Sequence, residues 1–290
     1  MSYVQSGTTR APKLRRESRM DKTWNDAAAK WLRHRETKWV GYEDRYLKRL
    51  DEFLDGMPIA DIRRADVVEI RDTMLEEGKK PATVNRYLTV LRSILIKARD
   101  DWEWVDKVPK IERLREEERV HFITKAQAKR LCELLPKHLE RMVRFTLATG
   151  LRSSNVRNLK WSHIDLSRQL MSIPGSEMKN GRDFVTPLNS MAIEVLKSQR
   201  DLHEDFVFVY RGKPVKQCNT RAFRDACAKA GIQGTRFHDL RHTWASWHVQ
   251  SGTHTAKLRE LGGWSNDQMV QRYAHLGREH LLEEVQATTF

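Results

Sequence analysis

Behind Pro81 the apolar residues Val84, Tyr87, Leu88, Leu91, Ile94, Leu95 and Ala98 recur every three or four positions. That period gathers them on one face of a helix and leaves Arg86, Arg92 and Lys97 for the other faces. Pro81 suits a first helical position, where its missing N–H has no intrahelical partner to lose. The same spacing predicts helices from Trp24 to His34, Gly41 to Leu54 and Ala65 to Glu77. No strand pattern interrupts residues 21–107, which read as a small all-helical domain. Val108-Pro109 then stops the helical run. From Glu112 to Arg119 the chain is nearly all charge, broken by Leu114. Such a run repels itself, so residues 108–119 are expected to form an extended linker.

A mixed pattern fills residues 120–290. Thr124 is a suitable N-cap for a helix through Leu135, and a helix from Leu139 to Thr149 is expected to stop at Gly150. Strand-like stretches follow at Leu159 to Leu166, Gln169 to Ile173 and Phe184 to Leu188. Asn180-Gly181, between the last two, is a strong signal for a tight hairpin turn. Beyond Phe206 to Tyr210, helical spacing returns at Thr220 to Ala230, Leu240 to Gln250, Ala256 to Leu261 and Asn266 to His275. A short tail helix is expected at His280 to Val285, where Leu281, Leu282 and Val285 share a face. The fold class is therefore mainly α with a small antiparallel β-sheet: a helical N-terminal domain, then an α+β domain.

Charge narrows the partners. The 290 residues hold 53 Lys and Arg against 39 Asp and Glu, a net charge of +14. Such a surface attracts polyanions, nucleic acid above all. Residues 1–20 form a basic flexible tail (Arg10, Lys13, Arg15, Arg16, Arg19), either lying along phosphates or an unstructured leader. They carry no signal-peptide core, and no run of about 18 apolar residues offers a membrane span. Cys132, Cys218 and Cys227 have no pairing spacing and fit a reducing cytosol. No cofactor and no metal is expected: H-E-x-x-H, a Gly-rich P-loop, an acidic cluster and a nucleophile elbow are all missing.

One ordered set of residues carries chemistry: Arg152 in T-G-L-R, Lys179 in M-K-N-G, His238 and Arg241 in F-H-D-L-R-H-T, Trp264 in L-G-G-W and Tyr273 in R-Y-A-H-L. Singly, each is commonplace. Jointly, in this order, they resemble the phage-integrase family of tyrosine recombinases, from about Thr23 to about Val285. The boxes are specific in combination. The helical domain resembles the family's core-binding domain more loosely.

Chemistry explains why these types belong together. The transition state of phosphodiester displacement spreads negative charge over non-bridging oxygens. Arg152 and Arg241 offer two planar, permanently charged forks that fit it. Tyr273 supplies the phenol, whose ordinary pKa near 10 needs a positive field or proton removal. Lys179, near a hairpin tip, is the candidate acid for the leaving 5′-oxygen, with Lys160 and Lys213 as weaker rivals. His238 and Arg241, three positions apart, share a helical face. His238 is expected to exchange a hydrogen bond or proton with Tyr273. Trp264 stands where much of the family has histidine; its indole either donates to a phosphate oxygen or packs the site. Asn155 replaces the acidic residue frequent three positions after the first arginine and is read as supporting at most. His242 and His275 are read as local or exposed histidines.

The resemblance implies site-specific recombination by metal-independent transesterification, through a 3′-phosphotyrosine and a free 5′-hydroxyl. It implies double-stranded DNA as partner, a homotetramer on DNA with the tail docking on a neighbouring protomer, and accessory DNA-bending or directionality proteins. A cytoplasmic, nucleoid-associated protein of phage or mobile-element type is expected. The roughly 20 residues before the helical block are too few for an arm-binding domain, so either the enzyme is expected to work without arm sites or such a domain lies outside this sequence. Arg86, Arg92 and Lys97 are the candidate DNA contacts of the helical domain. Two alternatives stand beside this reading: a type IB topoisomerase-like enzyme, or a catalytically silent architectural DNA-binding protein.

Overall fold

The computed structural model describes residues 22–33, 40–116 and 121–277. The basic tail and the expected tail helix lie outside the described residues. The chain divides into two compact units, Met1–Glu117 and Glu118–Phe290.

The first unit holds α1 (Trp24–Arg33), α2 (Val40–Leu54), α3 (Arg64–Glu76) and α4 (Pro81–Asp100). Its core forms because each helix keeps one apolar face. Trp24 and Trp31 of α1, Leu50 and Leu54 of α2, Ile70 and Met74 of α3 and the predicted stripe of α4 are all buried together. Burial of one such side chain stabilises by about 1.5–3 kcal/mol. The two indoles also satisfy their N–H groups: Trp24 Nε1 donates to Asp51 Oδ1 at 2.6 Å and Trp31 Nε1 to Ser93 Oγ at 3.1 Å. Arg86 and Arg92 are exposed on α4. Lys97 is half-buried and paired with Asp101 at 2.8 Å.

Residues 108–116, expected to extend freely, have no regular structure but are held to this unit. Val108, Ile111 and Leu114 recur at every third position and pack on the helical core. Asn85, buried on α4, donates to Leu114 O at 2.9 Å and to Glu116 Oε1 at 2.7 Å, and accepts from Leu114 N at 2.8 Å. Three apolar anchors and one buried amide outweigh the self-repulsion of the charged run.

The second unit opens with α5 (Lys125–Leu134), where Thr124 and Gln127 cap each other's backbone N–H. Next come α6 (Lys137–Thr149) and α7 (Ser153–Arg157), then β1 (Ile164–Asp165), β2 (Leu170–Ile173) and β3 (Phe184–Pro187). The three strands form one antiparallel sheet in the order β1-β2-β3, with Ile173 opposite Phe184 and Leu170 opposite Pro187. The first predicted strand is short because Trp161–His163 forms a 3₁₀ turn instead. That turn is fixed by Trp161, whose backbone N–H donates to Asp205 O and whose indole donates to His203 O.

Helix α8 (Ser190–Gln199) was not expected from the pattern. Asn189 caps it by accepting from Ala192 N at 2.9 Å, and Ala192, Val195 and Leu196 are buried. A β-ribbon, β4 (Val209–Tyr210) with β5 (Lys213–Pro214), precedes α9 (Arg221–Lys229), α10 (Asp239–Gln250), α11 (Thr255–Gly262) and α12 (Gln268–Ala274). Helix α6 is central and packs on both α8 and α10. No helix among the described residues is long and apolar enough to cross a membrane.

Candidate active site

The end of α6 sets the position of two arginines. Gly150 closes that helix in the left-handed region (φ 65°), and a Cβ there would stand 2.2 Å from the Trp244 ring. Only glycine meets both demands. Its carbonyl accepts from Arg241 Nη1 at 2.6 Å, and Gly262 O accepts from Arg241 Nη2 at 2.7 Å. Arg241 is 4% exposed, so its charged fork is held by two backbone carbonyls from different elements. The Trp264 ring covers it, with the guanidinium carbon 4.2 Å from the ring centroid. Gly262 makes that approach sterically feasible, since a Cβ there would stand 2.0 Å from the Trp264 ring. Packing is therefore the visible role of Trp264.

Arg152 lies two residues beyond Gly150, at the start of α7. Its Nη1 is buried and has no hydrogen-bond partner among the described residues. Burial lowers its pKa. Burial first, and then the charge of Arg152, pushes Arg241 down to about 9. Two guanidinium groups acting on each other, neither paired with a carboxylate among the described residues, make a site that an anion would relieve. His238, at the N-terminus of α10, lies in the same field; burial, then Arg241, lowers its pKa, and Arg152 acts in the same direction.

Tyr273 of α12 is 1% exposed. Its hydroxyl is not against His238. It lies 2.5 Å from Nδ1 of His242, one helical turn further along α10. The two histidine rings meet edge to face, 5.3 Å apart. The expected partnership thus passes from His238 to its i+4 neighbour on the same face, and His242, read from sequence as incidental, joins the site. The only signal in sequence was its place directly after Arg241.

Lys179 is exposed on the loop between β2 and β3, with no hydrogen bond or ion pair among the described residues. The tight hairpin turn expected at Asn180-Gly181 is not formed: Ile173 pairs with Phe184, and residues 174–183 connect them as a longer loop that includes a 3₁₀ turn at Gly175–Glu177, with Gly181 at φ 67°. The loop's base is tied to the arginine site through α7. Asn155, buried three residues after Arg152, donates Nδ2 to Glu177 O at 3.3 Å and lies 3.2 Å from Met178 Sδ. Lys160, one of the rival acids, is committed to Glu177 at 2.8 Å. Lys213, the other, sits exposed in the β4–β5 ribbon. Arg86, Arg92 and Lys97 belong to the other, helical unit.

The sequence profile of the phage integrase family matches residues 113–280, more than half of the chain. The chain belongs to the phage integrase family. A relative within reach of direct alignment agrees: the integrase of Salmonella phage P22 is 33% identical over a 306-residue alignment, covering 91% of this chain and 79% of that protein. Among solved structures, the Tn1549 transposon integrase (residues 82–397) in complex with circular intermediate DNA superposes with a TM-score of 0.72 at 19% identity. That match covers 87% of this chain and 94% of the other. A lambda integrase tetramer bound to a Holliday junction gives a TM-score of 0.69 at 19% identity, covering 88% and 78%. At such identities these two likenesses speak for the shared integrase fold, which includes the helical unit as well as the unit that holds the family's boxes.

Proposed function

We propose that this chain is a site-specific DNA recombinase that cuts and rejoins duplex DNA by metal-independent transesterification, with Tyr273 as nucleophile. The observation that carries the reading is the placement of the buried Tyr273 hydroxyl beside the helix that presents Arg241, with the unpartnered Arg152 acting on the same arginine. Kinship with the P22 integrase favours recombination over relaxation of supercoils or silent binding.

The reaction balances as follows. A scissile phosphate sits against Arg152 and Arg241, whose forks offset the charge growing on its non-bridging oxygens. Tyr273 Oη bonds to phosphorus as its proton passes to a neighbouring imidazole nitrogen. The bond from phosphorus to the 5′-oxygen breaks, and that oxygen takes a proton from the Lys179 ammonium, which the exposed loop can carry over the phosphate. The 3′-phosphotyrosine keeps the phosphodiester energy, so a 5′-hydroxyl reverses the step without ATP. His238 serves as a hydrogen-bond donor at the phosphate edge. Trp264 holds Arg241 in place. Tyr273 is 1% exposed, so its oxygen reaches phosphate with a small shift of α12.

Double-stranded DNA is the partner. Arg86 and Arg92 of α4 supply phosphate contacts in the helical unit, with Lys97 a lesser one. Four protomers act together, two cutting at a time; a tetramer bound to a Holliday junction is known for lambda integrase. Accessory DNA-bending proteins and a cytoplasmic, nucleoid-associated setting complete the reading. The deciding experiment is mass mapping of the residue joined to a nicked suicide duplex. A DNA fragment on Tyr273 supports the reading, and an adduct elsewhere, or none with tight binding, refutes it.

A further inference from the structure

We propose that His242, and not His238, is the group that receives the Tyr273 proton, which makes it a further catalytic residue. The inference rests on the nucleophile assignment above.

Four observations carry it. The Tyr273 oxygen lies 2.5 Å from His242 Nδ1, closer than an ordinary N···O hydrogen bond. His242 directly follows Arg241, so the proton acceptor and the phosphate clamp share one turn of α10. That turn is fixed from both sides, by the Gly150 and Gly262 carbonyls on Arg241 and by the packing of α12. Finally, the His242 ring is in contact with both the His238 ring, at 5.3 Å, and the Tyr273 ring, at 5.8 Å.

The resting pair is uncharged. Burial, followed by the field of His238, holds His242 down at about 4, and burial lifts Tyr273 to about 12 against the opposing fields of Arg241 and Arg272. The charged and titratable groups acting on His242 are His238, Asp239 and Arg241 on its own helix and Arg272 on α12. His275 is the titratable group of the following turn. A neutral imidazole has a free lone pair, so Nδ1 can accept the phenol proton. Transfer before attack is uphill. Once Oη begins to bond to phosphorus, however, the phenol proton becomes far more acidic than an imidazolium. A base with a pKa between those two extremes takes the proton during bond formation, which is general-base catalysis. The bound phosphodiester also brings a negative charge that raises the imidazole's affinity for a proton. The proton then rests on His242 while the 5′-oxygen takes a separate proton from Lys179. In the reverse step His242 returns it to the departing phenolate.

The test uses the full chain and a pool of nicked suicide duplexes of randomised sequence, from which wild-type protein captures its own covalent substrates. No wild-type adduct, or an adduct that survives Tyr273→Phe, defeats the nucleophile assignment itself and the inference with it. With the nucleophile upheld, His242→Ala and His242→Asn are compared on a captured duplex. Asparagine places its amide oxygen near the position of Nδ1, so it keeps a hydrogen-bond acceptor but has no useful proton affinity. Both variants are expected to lower the adduct rate by about 10²–10⁴-fold at unchanged DNA affinity. Added imidazole should restore part of the rate to the alanine variant, and the acidic limb of the wild-type rate–pH profile should vanish in both. A wild-type rate in His242→Asn overturns the proposal in favour of mere positioning. So does a slow alanine variant that imidazole does not rescue and whose acidic limb persists. A reading on unaltered protein guards against misfolded variants. The ¹⁵N shift of His242 Nδ1 at neutral pH should report an unprotonated acceptor, and a protonated Nδ1 donating to Tyr273 overturns the assignment.

Discussion

The guanidinium of Arg241 lies 4.2 Å from the centre of the Trp264 ring, pressed between that indole and the carbonyls of Gly150 and Gly262. The fork therefore spends two donors on backbone and keeps the others for a ligand. Arg241→Lys should fail in both duties, because one ammonium cannot reach two carbonyls and a phosphate in fork geometry. Adduct formation should fall by about 10²–10³-fold. The fold should lose about 1–3 kcal/mol from the carbonyls left unsatisfied. Suicide-duplex kinetics and denaturant melts of the same sample check the two halves separately.

Tyr273→Phe removes one oxygen from a buried ring and leaves the packing of α12 intact. The variant should bind DNA as the wild type does and form no adduct, read as an SDS-resistant band. Stability should change by only about 1 kcal/mol, the usual worth of one hydrogen bond.

Lys179 is exposed and has no ion pair among the described residues, so its replacement should leave the fold alone. Lys179→Ala should slow cleavage of ordinary DNA by about 10²–10⁴-fold. A duplex with sulfur in place of the 5′-bridging oxygen should restore much of that rate, since a thiolate leaves without a proton. Equal impairment on both duplexes would assign Lys179 to binding and move the acid role elsewhere.

Stability should peak between the ordinary pKa values of histidine and tyrosine. His242 is held at about 4 in the fold against 6.5, so the unfolded chain takes up its proton first as pH falls. Stability is then lost from about 6.5 down to about 4, by about 3 kcal/mol in all. Tyr273 is raised to about 12 from 10, so the unfolded chain releases its proton first above pH 10 and stability falls there too. Denaturant midpoints across pH, compared with those of His242→Asn, isolate the acid limb. An unchanged limb in that variant would mean that another group carries it.

In the helical unit, Arg86 and Arg92 are exposed whereas Lys97 is tied to Asp101. Arg86→Ala and Arg92→Ala should each weaken DNA binding and lower the salt slope of log K by about 1. Lys97→Ala should do neither to a comparable degree. Binding isotherms across a salt series give both quantities.

Sequence by itself determined the helices with clean apolar stripes, the cap at Thr124 and the stop at Gly150, because each obeys a rule that acts within a few residues. It also supplied the ordered boxes from Arg152 to Tyr273, whose combination is legible without knowing where any of them lies. Helix α8 escaped because its three buried apolar residues cover barely one face, and the charged run beginning at Glu112 misled because local repulsion says nothing of a buried Asn85 waiting 29 residues upstream of Leu114. The partner of the Tyr273 hydroxyl was decided by tertiary structure alone. His238 and His242 stand one turn apart on the same helix face, and the sequence pattern favours His238. Which of them meets the phenol depends on where α12 lands along α10, and long-range packing fixes that position.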